Sequence, residues 1–195
     1  MTMTVLVVAT GNPGKLREIQ PYLEGLRWEL KLKPPEIEVD EVGTTFAENA
    51  ALKASQVAIA TQNWAIADDS GLEVTALDNA PGIFSARYGL SDGDRIDRLL
   101  RELGDHGDRS ARFVCAIAVA QPDGAIALQT EGICLGEILT AARGKGGFGY
   151  DPIFYVPDQG LTFAEMPAAL KQEVSHRGRA FQSILPRLKA LDAEA

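Results

Sequence analysis

Residues 4–23 read TVLVVATGNPGKLREIQPYL, and this stretch decides the fold class. Thr4 to Ala9 is a β-branched run of strand length that stops at Thr10-Gly11-Asn12-Pro13-Gly14, where backbone freedom rises. Beyond it Leu16, Ile19, Tyr22 and Leu23 recur every three and four residues, so a helix runs to about Gly25, with Pro13 tolerated near its start. A strand that ends in a glycine loop and meets a helix N-terminus opens an α/β protein.

The alternation continues outward from there. Residues 28–32 alternate as a short strand, and Pro34-Pro35 with residues 36–41 is extended or loop-like. Thr45 caps a second helix from Phe46 to about Ala60. Phe46, Ala50, Ala54, Val57 and Ala58 form its apolar stripe, and Asn49 and Lys53 stand together on another face. Residues 64–67 predict a buried strand that breaks at Asp68-Asp69-Ser70-Gly71 and resumes over 72–77. Residues 91–103, closed by Gly104, read as a third helix with a packing role. Residues 111–120 and 125–135 flank Pro122-Asp123-Gly124, so an antiparallel hairpin and hence a mixed sheet are expected. A glycine-rich stretch follows at 143–158, and the last helix carries Phe181, Ile184, Leu185 and Leu188, with a kink or interruption expected at Pro186.

The chain has 195 residues, 46% hydrophobic and 24% charged, enough for one compact domain or two lobes sharing a sheet, and unlike a disordered or collagenous chain. Lysine and arginine number 19 against 27 acids, and the net charge of −8 argues against general DNA or RNA binding. A small polyanion is compatible with it, because a few lysines in one cleft reverse the local sign. The apolar run at 5–9 is far short of the roughly 20 residues a membrane span needs, and no basic segment precedes it, so a cytoplasmic address is expected. Cys115 and Cys134 lie in apolar runs with no CxxC, and read as buried reduced thiols, with a hairpin disulfide as the alternative.

Several segments carry side chains suited to chemistry. TGNPGK at 10–15 is not a Walker A loop, since only Asn12 and Pro13 separate Gly11 from Gly14. It still offers glycines, amides at a helix N-terminus and the cation Lys15, which suits a phosphate; the other reading is a plain strand-to-helix turn. Asp68 and Asp69 after an apolar strand need cationic compensation, which magnesium with bound phosphate supplies; Asp-Asp-Ser-Gly is equally a turn sequence. On a strand the two aspartates point to opposite faces, so one faces a ligand and the other orients the loop. One acid of Glu38, Asp40 and Glu41 is placed to join the metal, or all three are solvated. Residues 144–152, GKGGFGYDP, interleave aromatics with glycines, which suits stacking on a base or a flexible loop. Lys171, Ser175, His176, Arg177 and Arg179 add donors near the C-terminus.

TGNPGK, FAENAALKA, DDSGLEV, PGIFSARYG, GKGGFGYDPIF and SHRGRAF, in this order between residues 10 and 181, closely resemble the inosine/xanthosine triphosphate pyrophosphatases, the Ham1-like family. The resemblance implies an elongated α/β fold, a mixed sheet with flanking helices forming two lobes around a central cleft, in one domain over residues 1–195. It implies magnesium-dependent hydrolysis of ITP, dITP and XTP to monophosphate and pyrophosphate by a homodimer. By residue, it implies that Thr10, Gly11, Asn12, Pro13, Gly14 and Lys15 bind the triphosphate, with Lys53 as a further phosphate contact. Glu41 and Asp69 match its metal ligands, and Asp69 its proposed general base, with Asp68 adjacent. Ser70, Lys171, His176 and Arg177 match substrate contacts, and Phe148, Gly149, Tyr150 and Asp151 match the base-binding segment. Two rival readings stand beside it: a nucleotide-binding sensor without turnover, and a pyrophosphatase of canonical or modified pyrimidine nucleotides.

Overall fold

The apolar run near the N-terminus forms strand β1 (Val5–Val8), and proline at its first position starts helix α1 (Pro13–Leu23), which buries Ile19 and Leu23. These are the first elements of a computed structural model that describes residues 4–194. β2 (Glu29–Leu32) lies parallel to β1 on one side, with Val5 opposite Glu29. β3 (Trp64–Val74) lies parallel on the other, with Leu6 opposite Trp64. Helix α2 (Phe46–Thr61) precedes β3. Its start is set by a reciprocal cap: the Thr45 hydroxyl accepts the Glu48 amide while the Glu48 carboxylate accepts the Thr45 amide. The apolar stripe expected on α2 is buried in full, together with Asn49.

The remaining elements are α3 (Asp92–Leu103), β4 (Ser110–Ala120), β5 (Ile126–Ile138), β6 (Phe154–Val156), β7 (Leu161–Thr162), α4 (Ala168–Val174) and α5 (His176–Glu194). The seven-stranded sheet has the order β2-β1-β3-β4-β5-β6-β7. Its β1 neighbours are parallel, and β5, β6 and β7 are antiparallel, so the sheet is mixed as the sequence predicts. The tight turn after β4 is closed by Gln121 N–H donating to Ala125 O at 2.9 Å.

The chain divides into two compact units. One comprises residues up to 69, residues 115–132 and residues from 179 on, and the other residues 70–114 and 133–178. The first is built on Leu6, Ile19, Leu23, Ile66, Ile117 and Phe181. The second is built on Leu72, Leu99, Phe113, Ile153, Phe154 and Phe163. Among the described residues no helix is long and apolar enough to cross a membrane.

Three local expectations need correction. β3 is not broken at Asp68-Asp69-Ser70-Gly71 but runs through it to Val74, and residues 75–77 form a 3-10 turn. Turn propensity yields there because sheet pairing holds the backbone and lysines compensate both acids. Of the kink or interruption expected at Pro186, the interruption does not occur: α5 continues through it, and the helix bond lost there is offset by burying Ile184 and Leu188 completely. Finally β6, β7 and α4 are additional short elements in and after the glycine-rich stretch. Cys115 and Cys134 are buried thiols not joined by a disulfide, as expected.

Candidate active site

In the first unit, the strand pleat sends Asp68 and Asp69 to different partners. Asp68 Oδ2 meets Lys15 Nζ at 3.1 Å, and Cys115 Sγ lies 4.0 Å from the same oxygen. Asp69 Oδ1 accepts from Lys53 Nζ at 2.9 Å, and that ammonium also donates to Glu41 Oε1 at 2.8 Å. Lys53 is carried by α2 and Glu41 by the loop before it. Asn49, fully buried, fixes that loop by accepting the Gly43 amide at 2.8 Å. A Cβ at Gly43 would stand 2.7 Å from the Asn49 oxygen, so the close approach requires glycine.

Burial and neighbours act against each other on this cluster. Burial disfavours the Lys53 ammonium, but Asp69, Asp68 and Glu41 outweigh it and hold its pKa above the ordinary lysine value. For Asp69, burial raises the carboxyl above the usual carboxylate range and prevails over the pull of Lys53 and Lys15. A group displaced in that direction is a stronger proton acceptor than a solvated aspartate.

The loop at 10–14 differs in one respect from its expected use. The Gly14 and Lys15 amides are not open: both donate to the Asn12 side-chain oxygen, at 2.8 and 3.3 Å, as an N-cap of α1. Thr10 Oγ1 in turn accepts the Asn12 amide at 3.2 Å. The asparagine thus takes the place a phosphate oxygen would hold at a bare helix N-terminus.

Asp69 Oδ2 is buried and has no hydrogen-bond partner among the described residues. A carboxylate oxygen left in that state, with Glu41 joined to it through Lys53, is a donor set that fits a hard divalent cation. Among the described residues no three of His, Cys, Asp and Glu form a closed metal cage. Magnesium characteristically takes one or two carboxylates and completes its shell with water and phosphate oxygens, so two protein ligands suffice.

In the second unit, Arg177 is 2% exposed and donates from Nη2 to Ser70 Oγ at 2.8 Å. His176 is buried and stacked on Phe113 with ring centroids 4.6 Å apart. The glycine-rich segment is organised by Asp151. Its Oδ2 accepts the Phe148 amide at 2.9 Å and Lys171 Nζ at 2.6 Å, and the same ammonium lies 5.4 Å from the Phe148 ring centroid. Tyr150 turns inward, donating its hydroxyl to Ser85 O at 3.0 Å. The Gly149 amide donates to Asp92 Oδ2 at 2.7 Å; neither Asp92 nor Ser85 was singled out by sequence reasoning. Ser85 lies in the quoted PGIFSARYG motif, and Asp92 carries no signal beyond an acid in a first helical turn.

The sequence profile of the Ham1 family matches residues 6–187. The chain belongs to the Ham1 family. Among Ham1 relatives, a dITP/XTP pyrophosphatase of Nostoc sp. is 65% identical over 187 residues, 96% of this chain and 95% of its own length. A dITP/XTP pyrophosphatase of Synechocystis sp. is 60% identical over 183 residues, 94% of either chain. The Ham1 protein of Staphylococcus aureus superposes with a TM-score of 0.87 at 39% identity, covering 96% of this chain and 100% of that one. A Coxiella burnetii HAM1 protein gives 0.85 at 43% identity, covering 99% and 100%.

Proposed function

We propose that this Ham1 chain hydrolyses non-canonical purine nucleoside triphosphates, dITP, ITP and XTP, to the nucleoside monophosphate and pyrophosphate. The observation that carries the chemistry is the cluster of buried Asp68 and Asp69 with half-buried Lys15, Lys53 and Glu41, in which one Asp69 oxygen is left without a hydrogen-bond partner among the described residues. The substrate class is supported by the relatives, which bear the name dITP/XTP pyrophosphatase at 65% and 60% identity.

In this reading Lys15 and Lys53 face the triphosphate and offset its charge, each already held in place by a carboxylate. Asp69, through Oδ2, orients a water and takes its proton as the water oxygen bonds to the α-phosphorus. The bond from the α-phosphorus to the bridging oxygen breaks, and that oxygen leaves with the pyrophosphate. A divalent ion held by Glu41 and Asp69 would neutralise phosphate charge when bound. The Ser70–Arg177 pair supplies fixed donors for a 6-oxo purine, whereas adenine would set a 6-amino donor against them. Phe148 offers a ring for stacking on the base. The proposal includes magnesium as the ion, which the carboxylates and the family resemblance both support, a cytoplasmic address, and a homodimer as the working form, which the family resemblance supports.

The test is pyrophosphate release, with magnesium, from dITP, XTP, dGTP, dATP and dTTP. The reading expects kcat/KM for dITP and XTP to exceed that for dATP by about 100-fold or more. Faster cleavage of dTTP would favour the pyrimidine reading, and binding without turnover the sensor.

A further inference from the structure

The segment between β5 and β6 spans residues 139–153, a length that compact domains rarely leave without regular structure unless it serves a function. Gly144, Gly147 and Gly149 adopt φ of +85°, +73° and +62°, conformations that leave such a loop with much freedom to lose on ordering. Some of its tethers are local or come from the turn just after β7: Phe148 N–H donates to Asp151, and Gly146 N–H to Ala164 O at 3.0 Å. Others come from far along the chain, among them Tyr150 O–H to Ser85 O and Arg109 Nη2 to Leu139 O. Gly149 N–H donates to Asp92 Oδ2 at 2.7 Å, from the first turn of α3.

Asp92 is not needed to cap that helix. Ser91 and Asp94 already satisfy each other's amides, with Asp94 N–H to Ser91 Oγ at 3.1 Å and Ser91 N–H to Asp94 Oδ2 at 3.0 Å. The other Asp92 oxygen is held by Arg95 Nη1 at 2.6 Å, so the carboxylate is aimed rather than free to rotate. On either side of Gly149 stand Phe148 and Tyr150, and Tyr150 is anchored through its hydroxyl to Ser85 O.

We infer that Asp92 is a positioning residue of the base site: by holding the Gly149 amide it sets where Phe148 presents its ring to the purine. This rests on the proposed reading of residues 148–151 as the base-binding segment. Arg95 steadies the carboxylate, and α3 thereby acts in recognition as well as packing.

The experiment compares Asp92→Ala, Asp92→Asn and Phe148→Leu in the full chain, with KM and kcat for dITP and dATP, thermal unfolding, and exchange of the Gly149 amide by NMR. Asp92→Ala is expected to raise the KM for dITP about tenfold, as loss of one charge-assisted hydrogen bond does, with a much smaller change in kcat. The dITP over dATP preference should fall and the Gly149 amide should exchange faster, while Tm stays within a few degrees because the Ser91 cap remains. Asp92→Asn should restore most of the KM, since its carboxamide oxygen still accepts the amide. An unchanged KM and preference in Asp92→Ala, with Phe148→Leu impaired, would overturn the role of Asp92 while leaving the base segment standing. A proportional loss on both substrates without rescue by asparagine would also overturn it, as a purely structural effect. If Phe148→Leu leaves KM and preference untouched, the base-segment reading falls first, and this inference with it.

Discussion

A single ammonium, Lys53 Nζ, joins Glu41 and Asp69 across 12 and 16 residues of sequence. Asp69→Asn keeps a hydrogen-bond acceptor but loses the base, so kcat for dITP should fall by about 100-fold or more with KM moving far less, measured as pyrophosphate release. Lys53→Met should leave two carboxylates without their shared cation and cost about 3 kcal/mol, read from urea unfolding at neutral pH. The residue types of this cluster were legible in the sequence, because paired acids after an apolar strand demand compensation. Their partners were not: helical spacing places Lys53 on a face of α2 but says nothing of the strand beyond it. Asn12 shows the same limit. Its composition reads as a phosphate loop, and only the geometry reveals that its own oxygen takes the first amides of α1.

At the scale of elements, periodicity located α1, α2 and α3 because each has an apolar stripe and a cap that agree with the local propensity. It failed on β3, where lateral pairing and charge compensation override a turn sequence, and on the short β6 and β7, whose few residues carry too little pattern. The glycine-rich segment tests how far one position controls an element. A Cβ at Gly147, where φ is +73°, would lie 1.8 Å from Asp151 Oδ2. Gly147→Ala should therefore displace the Asp151 contact with Phe148 and raise the KM for dITP, with about 1–2 kcal/mol of backbone strain besides. In α3, the Tyr88 hydroxyl and then Arg98 hold Glu102 below the usual carboxylate range, and burial followed by Glu102 pushes Tyr88 up to about 12. A depressed carboxylate contributes stability above its unfolded pKa and loses it as pH falls through the folded value. Glu102→Gln should accordingly be less stable than the parent at pH 7, with the gap closing as the pH falls below the usual carboxylate range, as followed by urea unfolding.

For the whole molecule, the net charge of −8 is mirrored in the cluster, where Lys15 and Lys53 stand against the three acids Asp68, Asp69 and Glu41, so a tetra-anionic substrate calls for a divalent cation there besides the two lysines. The mixed sheet and its flanking helices were readable from alternation and turn chemistry. The boundaries of the two compact units were not readable, because each unit is assembled from segments far apart in the sequence and no local pattern encodes that pairing. The central claim is that this cluster directs water at the α-phosphorus of a purine nucleoside triphosphate. Hydrolysis of dITP in 18O-labelled water, followed by 31P NMR, tests it most directly. The account predicts dIMP and pyrophosphate as the only products, with the label in the dIMP phosphate; label in the pyrophosphate, or release of orthophosphate and dIDP, would contradict it.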